Sequence, residues 1–370
     1  MVRFLSLLAL LTVLAAAPAA SALEPPTSAP ASHPRLTATP DGGVLLSWVE
    51  PRGKALELKY ARLGVGGWSE PVTVHRGKGW VATWADPPTV LETTHGWFAT
   101  WLAPAAKDSH GTFLLLARSD DGRRWSKAEP VHDDRSDTEH GFSTLLPGPG
   151  GVEIAWLDGR AYAEGGSATA LRMRSLVPPG PERVLDERTC DCCPTAGLGD
   201  VLAWRDRIGG EIRDMSVARR AGGWTPARAT HDEWEFAGCP VNGPALARNT
   251  GDLLVWYTAD EPVTVQSVLL DDGWPRVPAP VAAGDGVLGR VGAAPLGAGW
   301  VVTWVQETEG VAQVLARTVG PRGTLGEVRV VGETSAKRSA GTPTIAAAGD
   351  RAVVVWQVEG PALMAAELSE

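Results

Sequence analysis

Seven tryptophans, Trp48, Trp101, Trp156, Trp204, Trp256, Trp304 and Trp356, each close a short apolar run, and successive ones lie 48 to 55 residues apart. A period of that length marks a chain that builds one supersecondary unit repeatedly, as a propeller or a solenoid does. Each unit opens with a short segment often led by Pro or Gly, such as "HPRLTATP", "DPPTVLETT" or "GTPTIAAAG". It turns at Gly, Asp or Asn and enters a run apolar on both faces: "VLLSW", "WFATW", "AVVVW". A third segment ("LELKYARL", "TFLLLARS") and a half-exposed fourth ("EPVTV", "EVRVV") complete it. Four such stretches in about 50 residues predict one four-stranded antiparallel blade. The fold class expected is therefore all-β: a β-propeller of seven blades, with a six-bladed ring as the alternative. The tryptophans are expected to fill the wedges between twisted neighbouring sheets. The seventh unit lacks a fourth strand, and a ring must close or leave an edge exposed. The segment before His33 is expected to pair there, where its prolines are tolerable.

The two ends read differently. Arg3, the apolar run "FLSLLALLTVLAAA" and the small residues Ala20 and Ala22 around Ser21 have the form of a cleavable signal peptide over residues 1–22. A Pro/Ser/Ala-rich leader (23–32) and the propeller (33–370) follow. No cysteine stands at the cleavage point, so no lipid anchor is expected. No later apolar run nears the roughly 20 residues of a membrane span. The expectation is a periplasmic or secreted monomer. A formal charge of -9 and the lack of a basic stripe argue against a nucleic-acid partner.

Strand order brings the loops after each second and each fourth strand to one face, and the unusual residues fall in those loops. Function is therefore expected on one rim, around the channel mouth. Cys190, Cys192, Cys193 and Cys239 occupy two such loops, flanking blade four, so all four sulfurs could meet. Three readings stay open: two disulfides, a thiolate centre for Zn²⁺ or Cu(I), or one staple beside a redox-active pair. Beside them lie Glu139, His140, Asp158, Arg160, Arg205, Asp206, Arg207, Glu211, Arg213 and Asp214. Mutual pairing explains most of these charges. Asp158, two residues after Trp156, and Arg205, directly after Trp204, are expected to face the channel and grip an anion. Asp86 and Asn242 are further ligand candidates.

The turn at 118–125, "RSDDGRRW", places Asp120, Gly122 and Trp125 at the offsets of an Asp box, and looser versions lie at Trp68, Trp224 and Trp274. With the tryptophan period, this resembles the sialidase-like, BNR-repeat propellers. "TEHGF", "WLDGR", "RTCDCC" and "GCPVNGPA" resemble a bacterial exported subgroup with a C-x-C-C motif. The resemblance implies a propeller whose boxes are structural and lie away from the binding face. Sialidase chemistry would need three carboxylate-clamping arginines, a Tyr nucleophile activated by Glu, and an Asp acid.

The chain departs from that pattern. The early R-I-P signature is missing, with only "HPRLTA" around Arg35 as an echo. Of three tyrosines, Tyr60, Tyr162 and Tyr257, only Tyr257 is a candidate nucleophile; Asp158 and Asp206 are candidate carboxylates for other glycosidase chemistry. Arginines 62, 118, 172, 174 and 317 read as structural. The first reading is a binding protein for a metal ion or a small anionic or carbohydrate ligand at the rim. A sialidase-like glycoside hydrolase and a disulfide-stapled scaffold for a partner protein are the alternatives.

Overall fold

In a computed structural model, which describes residues 20–27, 30–270 and 277–370, the chain forms seven antiparallel sheets of four strands, one per repeat tryptophan. The first blade adds a two-residue strand, Gly67–Trp68. Blade three shows the plan: His140–Gly148 innermost, then Gly151–Asp158, Thr169–Val177 and Arg183–Thr189. Seven blades, not six, make the ring. Most of the expected signal peptide, part of the leader and the turn at Trp274 lie outside the described residues. Among the described residues no helix is long and apolar enough to cross a membrane.

The ring closes as the missing strand requires. Ser21–Leu23 pairs antiparallel with Ala362–Leu368, with Ser21 opposite Glu367 and Leu23 opposite Ala365, and becomes the outer strand of blade seven. The cleavage point expected after Ala22 falls inside this strand.

Each repeat tryptophan sits on the second strand of its blade. Buried apolar residues gather into seven clusters, each drawn from two neighbouring blades and each holding one of these indoles. Trp204 packs on Leu171 and Met173 of blade three; Trp356 packs on Val301 and Val314 of blade six. Trp48 reaches Val353 and Val355 of blade seven, so the same contact that spaces the blades also closes the circle. Burying about 200 Å² of indole contributes roughly 5 kcal/mol of gross transfer energy per wedge.

A buried indole N–H needs an acceptor, and six of the seven have one. Trp48 donates to Glu50 (2.7 Å), Trp156 to Asp158 (2.8 Å), Trp204 to Asp186 (2.9 Å) and Trp256 to Asp232 (2.6 Å). Trp304 donates to Gln306 (3.1 Å) and Trp356 to the Glu333 carbonyl (2.9 Å). Trp101 instead has the His75 ring stacked on it at 4.7 Å.

The turn at 118–125 corrects one detail of the motif alignment. The carboxylate that caps it is Asp121, not Asp120: Asp121 accepts the N–H groups of Arg123 (2.9 Å) and Arg124 (2.8 Å). Ser119 Oγ accepts the Gly122 N–H, and Trp125 donates its indole N–H to the Gly122 carbonyl. Gly122 has φ 73° and leaves no room for a Cβ against the Tyr60 hydroxyl and the Trp97 ring.

The wedge role is testable by truncation. Trp204→Ala should cost about 3–5 kcal/mol in urea unfolding, as for other fully buried aromatics. A cost below about 1 kcal/mol would show that the indole does not hold blades three and four together.

Candidate functional site

The seven innermost strands surround a channel with a cavity of about 540 Å³. Its wall is mostly small: threonines, prolines, alanines and glycines from the strand starts. Among the described residues, four ionisable side chains line it, His33, Arg35, Arg248 and Arg290, and no carboxylate does. Arg248 is neutralised by Asp252 (2.6 Å) and Asp200 (2.7 Å). His33 is pushed down to about 4 by burial and is therefore uncharged at neutral pH. The remaining charge comes from Arg35 and Arg290.

Arg35 is the unusual one. Among the described residues its guanidinium has no hydrogen-bond or ion-pair partner. Burial lowers its pKa, an effect partly opposed by the nearby charge of Asp86. Arg290 spends two nitrogens on the carbonyls of Ser335 (3.2 Å) and Ala336 (2.7 Å). Burial and the neighbouring guanidinium of Arg338 push its pKa down as well.

A repeated backbone device positions these side chains. In blades one, three and six the innermost strand loses register at equivalent places: between Ser32 and Arg35, Gly141 and Thr144, and Gly289 and Gly292. His33, Phe142 and Arg290 sit in those bulges with φ of 57°, 52° and 54°, a region costly for residues other than glycine. Each freed N–H goes to a side-chain oxygen of another blade or blade junction. His33 donates to Gln357 (3.1 Å), Phe142 to Asp86 (2.6 Å) and Arg290 to Asn242 (2.6 Å). Asp86 and Asn242, expected as ligand groups, thus act first as clamps on strained backbone. Asn242 also lines the channel.

A second cavity of about 280 Å³ opens on the rim, and Asp86, Glu139 and Asp191 line it with His110. Burial pushes Asp86 up to about 6, against the Phe142 N–H and Arg35. Glu139 is raised by burial and by Asp191, with His110 opposing.

The other predicted residues are placed elsewhere. Asp158 and Arg205 do not face the channel, because they continue second strands, which lie one layer out. Asp158 is fully buried and accepts from Trp156 and, bidentately, from Arg160 (2.7 Å each). Arg205 is 1% exposed, lies over the Trp234 ring, and gives its donors to the carbonyls of Asn242 (2.8 Å), Arg213 (2.6 Å) and Tyr257 (2.6 Å). His140 stacks on His132 at 3.7 Å, with Nε2 3.1 Å from Asp134. Asp206 accepts from Ser216 (2.6 Å) and is raised to about 6 by burial and by Asp186. Arg207 and Arg213 both pair with Glu211 (2.7 Å each), and Asp214 pairs with Arg228. Tyr257 stands edge-on to Trp234 at 6.1 Å. Tyr257, Asp158 and Asp206 line neither cavity.

The cysteines do meet. Cys192 is bonded to Cys239, joining the loops on either side of blade four. Cys190 and Cys193 are free and buried, with sulfurs 2.7 Å apart. Cys190, Cys192 and Cys193 lie within 4.8 Å of one another, close enough to share a soft metal ion. A four-thiolate centre would first require reduction of the Cys192–Cys239 bond.

The channel arginines were the residues that sequence reasoning passed over as ligands. The signal was available: "HPRLTA" and "GRVGAA" lie in first strands, which supply most of the channel wall.

No protein-family model and no curated protein matches the sequence. Solved structures do. An ulvan lyase of polysaccharide lyase family PL25, bound to -[GlcA(1-4)Rha3S]-, superposes with TM-score 0.55 over 94% of both chains at 11% identity. The α-L-arabinanase of Penicillium chrysogenum, complexed with arabinobiose, gives 0.50 over 95% of this chain and 97% of that one at 13% identity. The α-L-arabinofuranosidase of Fusarium graminearum, with an iminosugar inhibitor, gives 0.51 over the same shares at 12% identity. These likenesses establish the seven-bladed propeller. At such identities they do not carry the resemblance to the sialidase family itself.

Asp86 supplies a pH test of the clamp. Its folded pKa of about 6 lies above the ordinary 3.8, so the folded state holds the proton more tightly than the unfolded one. The stabilisation is complete below about pH 4 and is lost as pH rises toward 6 and beyond. Asp86→Asn keeps an acceptor for the Phe142 N–H and removes the titration. Melting temperatures between pH 4 and 7 should fall less steeply in the variant, by the equivalent of about 1–3 kcal/mol.

Proposed function

We propose that this propeller binds a small anionic saccharide at the mouth of its channel, with Arg35 as the principal anchor and Arg290, two blades away around the ring, as the second cation. The observation that carries the reading is a half-buried guanidinium with no partner among the described residues, in a cavity that none of their carboxylates lines. Taking a cation even partly out of water is costly unless something pairs with it. A carboxylate or sulfate supplies that partner in two parallel hydrogen bonds, the geometry the planar guanidinium favours. The cavity volume lies in the range of small-ligand sites. The strained bulges at His33 and Arg290 point the same way, since backbone strain collects where side chains must be aimed.

The fold neighbours support the carbohydrate half of the reading. The lyase is bound to a repeat containing GlcA, an acid sugar, and the two arabinan-directed enzymes hold a sugar and a sugar mimic in the same architecture. Binding without hydrolysis is favoured because Tyr257, Asp158 and Asp206 do not converge on the cavity that holds Arg35.

Calorimetric titration with glucuronic acid and N-acetylneuraminic acid, against glucose and arabinose, tests this. The acidic sugars should bind and the neutral ones should not. Arg35→Ala should weaken binding by about 10- to 100-fold, the worth of a hydrogen-bonded charge. Equal binding of neutral sugars, or an unchanged affinity in the variant, would overturn the reading. Release of a fluorogenic aglycone from sialosides or aryl glycosides would replace binding by catalysis.

A further inference from the structure

The four cysteines hold one disulfide and two thiols, and their arrangement suits movement of that one bond. Cys190 and Cys193 have C-x-x-C spacing and are 0% and 1% exposed. Cys239 is exposed, and Cys192 is intermediate. Cys192 lies inside the C-x-x-C segment, so its bond to Cys239 starts beside the buried pair and ends at the surface. Cys190 Sγ is 2.7 Å from Cys193 Sγ and 4.0 Å from Cys192 Sγ.

We propose that these four sulfurs form an internal thiol–disulfide relay, in which one disulfide alternates between an outer position, Cys192–Cys239, and an inner position, Cys190–Cys193. The partner class is a thiol or disulfide presented to the exposed Cys239. This inference does not depend on the ligand assigned to the channel.

The chemistry balances without an added oxidant. In the first step the Cys190 thiolate attacks Cys192 Sγ, the Cys192–Cys239 bond breaks, and the electron pair leaves on Cys239, which takes a proton from solvent. In the second step Cys193, giving up its proton, attacks Cys190 in the new Cys190–Cys192 bond. Cys192 leaves as a thiolate and is protonated. One disulfide and two thiols stand on each side. Exchange of this kind proceeds through such mixed disulfides, at a rate set by the thiolate fraction of the attacker.

The surroundings favour the required roles. Cys190 is pushed down to about 7 by the adjacent Cys193 sulfur, the Cys192 backbone N–H and the charges of Arg205 and Arg213, while Cys193 is raised by burial and by Cys190. Cys190, with its sulfur 4.0 Å from Cys192 Sγ, is the attacker, and Cys193, 2.7 Å from Cys190 Sγ, is the resolving thiol. Arg213 keeps one buried nitrogen, Nη1, without a hydrogen-bond partner, although its other donors bind Phe236, Gly238 and Glu211. A cation left short of an acceptor stabilises a neighbouring anion.

The loops that the outer bond joins also wall the channel. Pro194, Thr195, Asn242 and Gly243 line it, Asn242 fixes the Arg290 bulge, and Arg338 donates to the Cys239 carbonyl. Moving the bond inward unties those loops from each other.

The test is a disulfide map of the full-length protein purified without reductant, incubated at pH 8, acid-quenched, alkylated and digested. Wild type should contain Cys192–Cys239 and Cys190–Cys193 species, each with the complementary two thiols. Cys193→Ser should accumulate the Cys190–Cys192 species with Cys239 free. Cys190→Ser should lower alkylation of Cys239 by at least about tenfold, since the thiol that remains, Cys193, is kept protonated by burial. Acid quenching of wild type at intervals reads the same intermediate if that variant does not fold. Three outcomes overturn the relay: two disulfides with no alkylatable thiol, Cys239 labelling unaffected by loss of Cys190, or four thiols carrying one equivalent of zinc or copper.

Discussion

The structure depends on a buried indole with a satisfied N–H. Twisted sheets packed face to face around an axis leave a wedge between them, and a large flat side chain on the second strand fills it. Filling it with tryptophan brings a polar atom into an apolar layer, where an unmade hydrogen bond costs about 1–3 kcal/mol. Glu50, Asp158, Asp186, Asp232 and Gln306 remove that cost in five wedges, and a backbone carbonyl does so in a sixth. Three of these acceptors, Asp186, Asp232 and the Glu333 carbonyl, stand in the outer strand or loop before the tryptophan's own blade, so the bond also fixes where that blade begins.

This requirement explains why a rim rich in charge yields so little open binding chemistry. Carboxylates that answer a tryptophan recruit arginines in turn: Asp158 holds Arg160, and Arg160 reaches Glu182. Arg205 ties blade four to the Asn242 and Tyr257 carbonyls of blade five. Such groups are spent on the ring. The channel differs because its wall is made mostly of first strands, which carry none of the repeat tryptophans. A charge placed there, as at Arg35, has no internal duty to absorb it.

The thiols follow a related logic. Both loops that carry them descend toward the start of an inner strand, in blades four and five, so the ring geometry fixes how closely they approach. The covalent bond and the free pair then share one small region, under the positive charge of two arginines whose main job is structural.

The tryptophan period, the paired turn residues and the apolar runs were enough to read seven blades, the wedge packing and closure by the N-terminal segment, because each rests on local pattern and on a ring's need to have no edge. They also put cysteines 190, 192, 193 and 239 in loops on one face where they could meet, since strand order assigns loops to faces. What stayed hidden was direction. Asp158 and Arg205 follow the wedge tryptophans in the chain but lie one strand away from the axis. The bulges at His33, Phe142 and Arg290 depend on which distant oxygen takes a freed N–H. Which carboxylate caps the turn at 118–125 was also decided by backbone geometry, one residue along from the motif. Periodicity is a property of neighbours along the chain, and the sequence carries it openly. The partners of the His33 and Phe142 N–H groups and of the Arg205 guanidinium, Gln357, Asp86 and Asn242, lie 324, 56 and 37 residues away, and only the closed ring brings those together.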